Sequence, residues 1–421
     1  MKLKNISISN YRSVENFSLD INELEDGTNT YGLIGVNEVG KSSILKAIAL
    51  KDGLLNEQGI KLPTIKDFRN KGESIEVKYH YLLDKEDQSE VTKMHDALEN
   101  AIAFDDGLLT EIMVNVSFSS KEPSIPVYGT YFPTLTKEAQ SHDPIAQAVS
   151  QILLGRIHKT IFWTAEDRYL ISQPINLESF AANPEAVSIP LKNCFSLTGI
   201  TDIGLRIAAL KGDSAEVELL QTELGEKVTA HINSVWPKHP IEITFLISDG
   251  LINFHVKDTN FRGKPKTADQ RSDGFKQFVS FLLTVSAEDK SDVLSNTILL
   301  LDEPETHLHP QAQEDLLREL IKITNNKRNN FVFFATHSNY MIDKVDLSRN
   351  YKVSKLKDST QYEMFSKKNS TYAGVTYEVF DLISTDYHNE LYGILHERYI
   401  DADQTDNNRS YVLDFDTGFL N

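Results

Sequence analysis

The nine residues Gly35–Ser43, GVNEVGKSS, constrain this chain more than any other stretch. They satisfy G-x-x-x-x-G-K-[ST] at every fixed position. An apolar run, Tyr31 to Ile34, precedes them, and an amphipathic pattern carrying Ile44, Leu45 and Ile48 follows. A strand, a glycine-bounded loop and a helix are predicted in that order, which is the context the motif needs. The glycines let backbone N–H groups close around phosphate oxygens, and the helix N-terminus adds its positive end. Gly35, Asn37, Glu38, Val39, Gly40, Lys41, Ser42 and Ser43 are therefore the expected phosphate cradle. Lys41 is expected to reach the outer phosphates as a point charge, and Ser42 to offer its hydroxyl to Mg2+.

A second constraint lies about 260 residues downstream, in TILLLDEPETHLHP, Thr297 to Pro310. Ile298 to Leu301 read as a buried strand. Asp302 follows at its carboxyl end, the edge where open α/β sheets bind ligands. It is expected to hold Mg2+, directly or through water. Glu303 is the expected base, or polariser, for an attacking water. In FVFFATHSNYMID, Phe331 to Ala335 read as another buried strand, and His337 just beyond it is expected to touch a γ-phosphate. His307 and His309 invite a zinc reading. Two residues apart, they would point apart on a helix, and no second ligand cluster is near in sequence. A loop role or packing is preferred.

RSDGFKQFVSFLL, Arg271 to Leu283, keeps two readings. Either a polar turn caps an apolar helix, or Ser272 and Gly274 hold a phosphate bound to another subunit.

Elsewhere, Leu3, Ile6 and Ile8, then Phe17, Leu19 and Ile21, predict two strands flanking SNYRSVEN. Another strand is predicted near Ser74 to Leu83. Prolines punctuate residues 84–193, which are expected to form an insert of short elements. Asp213 and Glu216 fit a capping box ahead of a helix bearing Val217, Leu220, Leu224, Val228 and Ile232. IEITFLISDGLINFHVKD alternates on both sides of Asp249-Gly250, a hairpin signal. The helix, strand, helix, strand order from Arg271 to Ala335 predicts a parallel sheet covered by helices.

With 40% hydrophobic and 25% charged residues in 421, the chain reads as soluble and globular, with two or three structural units. No apolar run is long enough to span a bilayer, and MKLKNISISNYRS alternates like a strand, so the cytoplasm is expected. A single cysteine, Cys194, excludes an intrachain disulfide. A net charge of −18 offers no long-range attraction to DNA or to an anionic membrane. Nucleic-acid binding would need a local basic patch.

The order of P-loop, polar-turn helix, Asp-Glu strand and histidine-ended strand resembles the ABC-class ATPase heads of the SMC and RecF type. It is most similar to the OLD-like, AAA15/AAA21-type ATPases of bacterial anti-phage systems, in the style of PtuA in Septu and AriA in PARIS. The resemblance covers roughly residues 1–84 and 236–350. It implies an α/β P-loop NTPase fold with an ABC-type two-lobed head and an inserted α-rich region, using ATP and Mg2+. Under it, Gly35–Ser43 is the Walker A loop, Asp302-Glu303 the Walker B pair, and His337 the switch histidine. Glu305 to His309 lies where the D-loop begins, RSDGFKQF replaces the signature, and Arg12 in NYRS matches an early arginine near the nucleotide. Three departures stand out. Asp273 replaces a signature glycine and brings an acid towards a γ-phosphate, no convincing Q-loop glutamine follows the first lobe, and the long SMC coiled coil is missing.

The implied map has an ATPase N-lobe at 1–84 and an inserted region with a short helical arm at 85–235. A C-lobe with signature, Walker B and switch histidine spans 236–350, and an extension for packing or docking spans 351–421. The seventy or so residues after the histidine strand region, beyond 350, are too few for the Toprim nuclease domain that the resemblance to OLD proteins would imply. Asp414 and Asp416 read as solvated tail, and no nuclease centre is expected. Thr385 to Tyr399 predicts an amphipathic helix, packed on its own ATPase or docking a partner. The resemblance implies a slow ATPase whose heads pair, Ser272 and Gly274 of one copy facing the nucleotide on Lys41 of the other. Such a protein regulates a separate effector, a nuclease from a neighbouring gene, in phage defence. The alternative is a RecF/SMC-like ATPase of DNA repair or DNA binding.

Overall fold

Among the described residues the strands form three sheets, the smallest of them set in a helical lobe. The computed structural model describes residues 1–21, 24, 26–52, 61–97, 110–132, 151, 153–164, 167–171, 174–235, 240–258, 266–267, 276, 279–283, 295–306, 308–324, 329–365 and 371–402.

The first sheet is antiparallel, in the order β2-β1-β4-β5-β6. It contains β1 (Lys2–Tyr11), β2 (Val14–Asp20), β4 (Ile75–Leu82), β5 (Glu111–Ser119) and β6 (Glu122–Tyr131). Its register sets Ile6 opposite Leu19 and Ile8 opposite Phe17, so the apolar residues of both strands share one face. β4 and β5 alternate buried and half-buried residues for the same reason. Among the described residues β6 pairs with β5 alone, and at that edge of the sheet it tolerates Pro123 and Pro126.

The second sheet is the core of the molecule, in the order β15-β14-β3-β13-β12-β7. These are β3 (Thr30–Ile34), β7 (Lys159–Thr164), β12 (Thr297–Asp302), β13 (Phe331–Thr336), β14 (Asn350–Leu356) and β15 (Ser359–Met364). All neighbours are parallel except β14 and β15. β3 and β13 are buried along their whole length, as a sheet covered on both faces requires. Alternate residues feed two cores. Ile298, Leu300, Phe331 and Phe333 join the core shared with the antiparallel sheet and α1 (Lys41–Ala49). Leu299, Leu301, Val332 and Phe334 join the core under the helical lobe. Burying each such side chain contributes about 1.5–3 kcal/mol.

The helical lobe carries α3 (Leu177–Ala182), α4 (Pro184–Val187), α5 (Ile189–Leu197), α6 (Ile203–Ala208) and α7 (Ser214–Val235). A hairpin of β9 (Ile241–Ser248) and β10 (Leu251–Asp258) packs with α7. β8 (Ile175–Asn176) and β11 (Lys266–Thr267) flank β10. Asp249 and Gly250 both have positive φ, 53° and 74°, the turn that Asp-Gly favours. α7 begins as expected, but the capping box is only half formed. Asp213 Oδ1 accepts from the amides of Ala215 and Glu216, whereas Glu216 pairs with Arg206. The Asp213 amide has no need of Glu216, because it donates to the Leu210 carbonyl at 3.3 Å.

The boundaries expected from sequence require correction. Residues 85–235 are not one insert: after α2 (Lys85–Ala97), β5 and β6 extend the first sheet, and β7 is a strand of the core sheet. The hairpin at 241–258 belongs with the helical lobe, and β14 and β15 lie inside the core sheet instead of an extension. Between β12 and β13, α8 (Pro310–Thr324) covers the core sheet, and beyond β15 α9 (Tyr372–Phe380) and α10 (Thr385–Ala402) end the described chain. Among the described residues, no helix is long and apolar enough to cross a membrane. Residues 403–421, including Asp414 and Asp416, lie outside the described residues.

Candidate functional site

The site forms where β3, β13 and β12 end together. Their register aligns Ile34 with Thr336, and Ala335 with Asp302, so the three following turns share one edge. The loop from β3 to α1 sits there with Val36, Asn37 and Glu38 exposed and Val39 buried. Two glycines are required by their surroundings. A Cβ on Gly35 would lie 2.1 Å from the Val353 carbonyl oxygen, and one on Gly40 would lie 2.2 Å from Thr360 Oγ1. Gly40 also has φ 108°, a conformation closed to L side chains without strain. Thr360 donates to the Val39 carbonyl at 2.9 Å and meets Ser13 Oγ at 2.9 Å. The β14–β15 hairpin is thus the floor of the phosphate loop.

Lys41 begins α1, and its Nζ donates to the carbonyls of Gly35 and Val36, both at 2.8 Å. Burial pulls its pKa below the ordinary lysine value, opposed by the carboxylates of Glu303, Glu305 and Asp302. Ser42 Oγ donates to Asp302 Oδ1 at 2.7 Å. Burial pushes the Asp302 carboxyl above the usual range, opposed by the Ser42 hydroxyl. Hard oxygen donors from one hydroxyl and one carboxylate fit Mg2+, which takes few protein ligands beside substrate phosphates. Ser43 is half-buried beside them.

Glu303 adopts φ 51°, a left-handed conformation that costs a non-glycine residue about 1–2 kcal/mol. Its amide donates to the Ala335 carbonyl at 3.0 Å, and its own carbonyl accepts from the Thr306 amide and hydroxyl. The turn brings Glu303 Oε1 to 3.4 Å from His337 Nδ1, and Glu305 Oε1 to 4.0 Å from the same nitrogen. Glu305 is buried, and burial pushes its carboxyl up to about 7, opposed by hydrogen bonding from Thr336.

The structure therefore brings Lys41, Ser42, Asp302, Glu303 and His337 to one edge. Arg12 stands one residue from Ser13, which touches Thr360 under the loop. Its guanidinium is held by Asp67, with Nε to Oδ1 at 2.7 Å. His309 lies at the start of α8, where its carbonyl accepts from the amides of Ala312 and Gln313. Ser272, Asp273, Gly274 and His307 lie outside the described residues. Sequence reading missed Val353, Thr360 and Gln313, and gave Glu305 no chemical role. Val353 and Thr360 carry no local signal, since their strands alternate like any hairpin. Glu305 had one, a third acid in the run Asp302-Glu303-Pro304-Glu305 that follows an apolar strand.

Residues 1–169 match the family profile described as "AAA ATPase domain". Residues 221–343 match the profile described as "AAA domain, putative AbiEii toxin, Type IV TA system". The uncharacterized protein MJECL43 of Methanocaldococcus jannaschii is 25% identical over 123 residues. That stretch is 28% of this chain, which spans about a third of the relative's length, 31%. Among solved structures, the chain is similar to an Smc head bound to the C-winged helix domain of ScpA. That pair has 12% identity and a TM-score of 0.49, covering 87% of this chain and 98% of the other. A Pyrococcus furiosus Smc head with an extended coiled coil, bound to the C-terminal domain of ScpA, has 11% identity and a TM-score of 0.48. It covers 87% of this chain and 96% of the other. The SMC head domain of Thermotoga maritima has 11% identity and a TM-score of 0.43, covering 87% of this chain and 100% of the other. With a P-loop between β3 and α1, the chain has an α/β P-loop fold, and two segments of its core are similar to ATPase-domain profiles.

Proposed function

We propose that this chain binds and slowly hydrolyses ATP, and that its nucleotide state controls a separate effector in phage defence. The observation that carries the enzymatic part is the meeting of Ser42, Asp302, Glu303 and His337 around the loop that starts α1. Lys41 and the loop amides would hold the β- and γ-phosphates, with Ser42 and Asp302 holding Mg2+. Bound Mg2+ neutralises charge developing between those phosphates. Glu303 accepts a proton from the attacking water, which then adds to the γ-phosphorus as the bridging bond to ADP breaks. His337, beside Glu303, donates a hydrogen bond to a γ-phosphate oxygen. Arg12 steadies the nucleotide from the side of the antiparallel sheet.

The regulatory part rests on the same ATPase edge, read as a switch set by the bound nucleotide. The name of the second matched family, which mentions a putative toxin of a Type IV TA system, supports a defence setting. Two copies pair head to head in the cytoplasm, with Ser272 and Gly274 of one facing the nucleotide of the other, and a nuclease from a neighbouring gene is the effector.

Phosphate release from Mg-ATP by the purified chain tests the chemistry. Copurification with the neighbouring gene's product, scored with phage protection in cells, tests the role. A chain that turns over no ATP removes the first part. One that is recovered alone and protects against no phage removes the second. Salt-sensitive DNA affinity that appears only with ATP would favour a RecF-like role instead.

A further inference from the structure

Five hydrogen bonds close a ring behind His337. The Glu305 carbonyl accepts from the Leu308 amide at 2.9 Å. The Leu308 carbonyl accepts from Gln313 Nε2 at 2.8 Å. Gln313 Oε1 accepts from the Ser338 hydroxyl, and Thr336 Oγ1 accepts from the Ser338 amide at 2.9 Å. The Thr336 hydroxyl donates to Glu305 Oε1, which completes the circuit. The ring joins three separate pieces of chain: the turn after β12, the turn after β13, and the first turn of α8. His337 lies inside the span it closes, between Thr336 and Ser338.

The donor directions leave little freedom. Gln313 both donates and accepts, so only an amide satisfies its place. Glu305 only accepts through Oε1, and Oε2 is buried with no partner among the described residues. Thr336 and Glu305 are at most 1% exposed, so a broken link there leaves a polar group out of water.

We propose that Gln313 and Glu305 are positioning residues that hold the His337 turn against the Glu303 turn, so that His337 and Glu303 act on one phosphate together. This rests on the ATPase reading above. The ring also ties the His337 turn to Glu305 and Leu308, so a shift of His337 on meeting a phosphate moves those two residues with it. Neither residue touches the reacting atoms, and both act through His337 and Glu303.

The test pairs kinetics with backbone hydrogen exchange on the full chain. Gln313→Ala should lower kcat for ATP about tenfold, with KM changed less than about twofold, because alignment and not binding is lost. Exchange should rise together at residues 303–308 and 336–339 of the nucleotide-free protein. Gln313→Glu should behave like the alanine variant, since a carboxylate cannot donate to Leu308. Glu305→Gln should keep both turns protected, since an amide oxygen still accepts from Thr336, whereas Glu305→Ala should expose them. Wild-type exchange in Gln313→Ala, or Gln313→Glu as protected as wild type, overturns the ring. Exchange that rises while kcat stays unchanged overturns its role in alignment. A wild-type chain without ATP turnover defeats the functional reading and the alignment role with it, and exchange still decides the ring.

Discussion

Ser42 Oγ donates to Asp302 Oδ1 at 2.7 Å, although 260 residues separate the two in sequence. The bond joins the first turn of α1 to the end of β12, the two places where magnesium ligands are expected. Asp302→Asn and Ser42→Ala should each lower Mg2+-dependent ATP turnover by about 10- to 100-fold and raise the Mg2+ concentration needed for half activity. Phosphate release titrated with Mg2+ checks this, and an unchanged titration would take both residues out of the metal site.

Glu303 reaches His337 from a strained left-handed turn. Glu303→Gln keeps the size and hydrogen-bonding reach of the side chain but cannot take a proton. Turnover should fall by about 100-fold or more while ATP binding persists. With hydrolysis slowed, ATP-dependent head-to-head dimers should accumulate and appear in sedimentation velocity. Undiminished turnover would remove Glu303 from the role of base.

The floor of the phosphate loop gives a prediction about Gly40. Gly40→Ala places a methyl against Thr360 Oγ1 and strains a φ of 108°, so ATP binding should be lost and stability lowered by about 1–3 kcal/mol. Thr360→Ala should cost about 1 kcal/mol through its lost bond to the Val39 carbonyl. Combining the two should not restore binding, because the backbone strain remains. Chemical denaturation and nucleotide titration measure both effects, and a double variant that binds like wild type would refute the strain argument.

Glu305 sets a pH dependence of stability. Its pKa rises from 4.5 in the unfolded chain to about 7 when folded, through burial. The native state then holds the proton more tightly, so stability is present in full below pH 4.5 and declines as pH rises through about 7. Glu305→Gln cannot ionise and lacks that slope. Its stability relative to wild type should therefore grow across this window and level off above it. Equal pH profiles for the two proteins, followed by urea unfolding, would show that Glu305 is not buried as an acid.

The contrast between β12 and β7 shows what could be read in advance. Ile298 to Leu301 form an uninterrupted apolar run ending in two acids, and that pattern announces a central strand with a site at its end. β7 offers only TIFW after a basic residue, too short to separate from a helix segment, and it lay among prolines. Those prolines misled for a physical reason. Pro123 and Pro126 would break a central strand, but β6 is an edge, where a missing N–H costs nothing.

The sequence by itself determined the phosphate loop, the acids after β12 and the histidine after β13, because each is a contiguous run whose backbone geometry follows from its own residues. Tertiary structure alone decided that Val353 and Thr360 floor that loop, that β7 and β14 complete the core sheet, and that Gln313 closes a ring behind His337. The reason is the non-local character of strand pairing. A strand's sequence states which face is apolar, whereas its neighbour, and the side chains delivered to its end, are chosen only when distant segments bury those faces together.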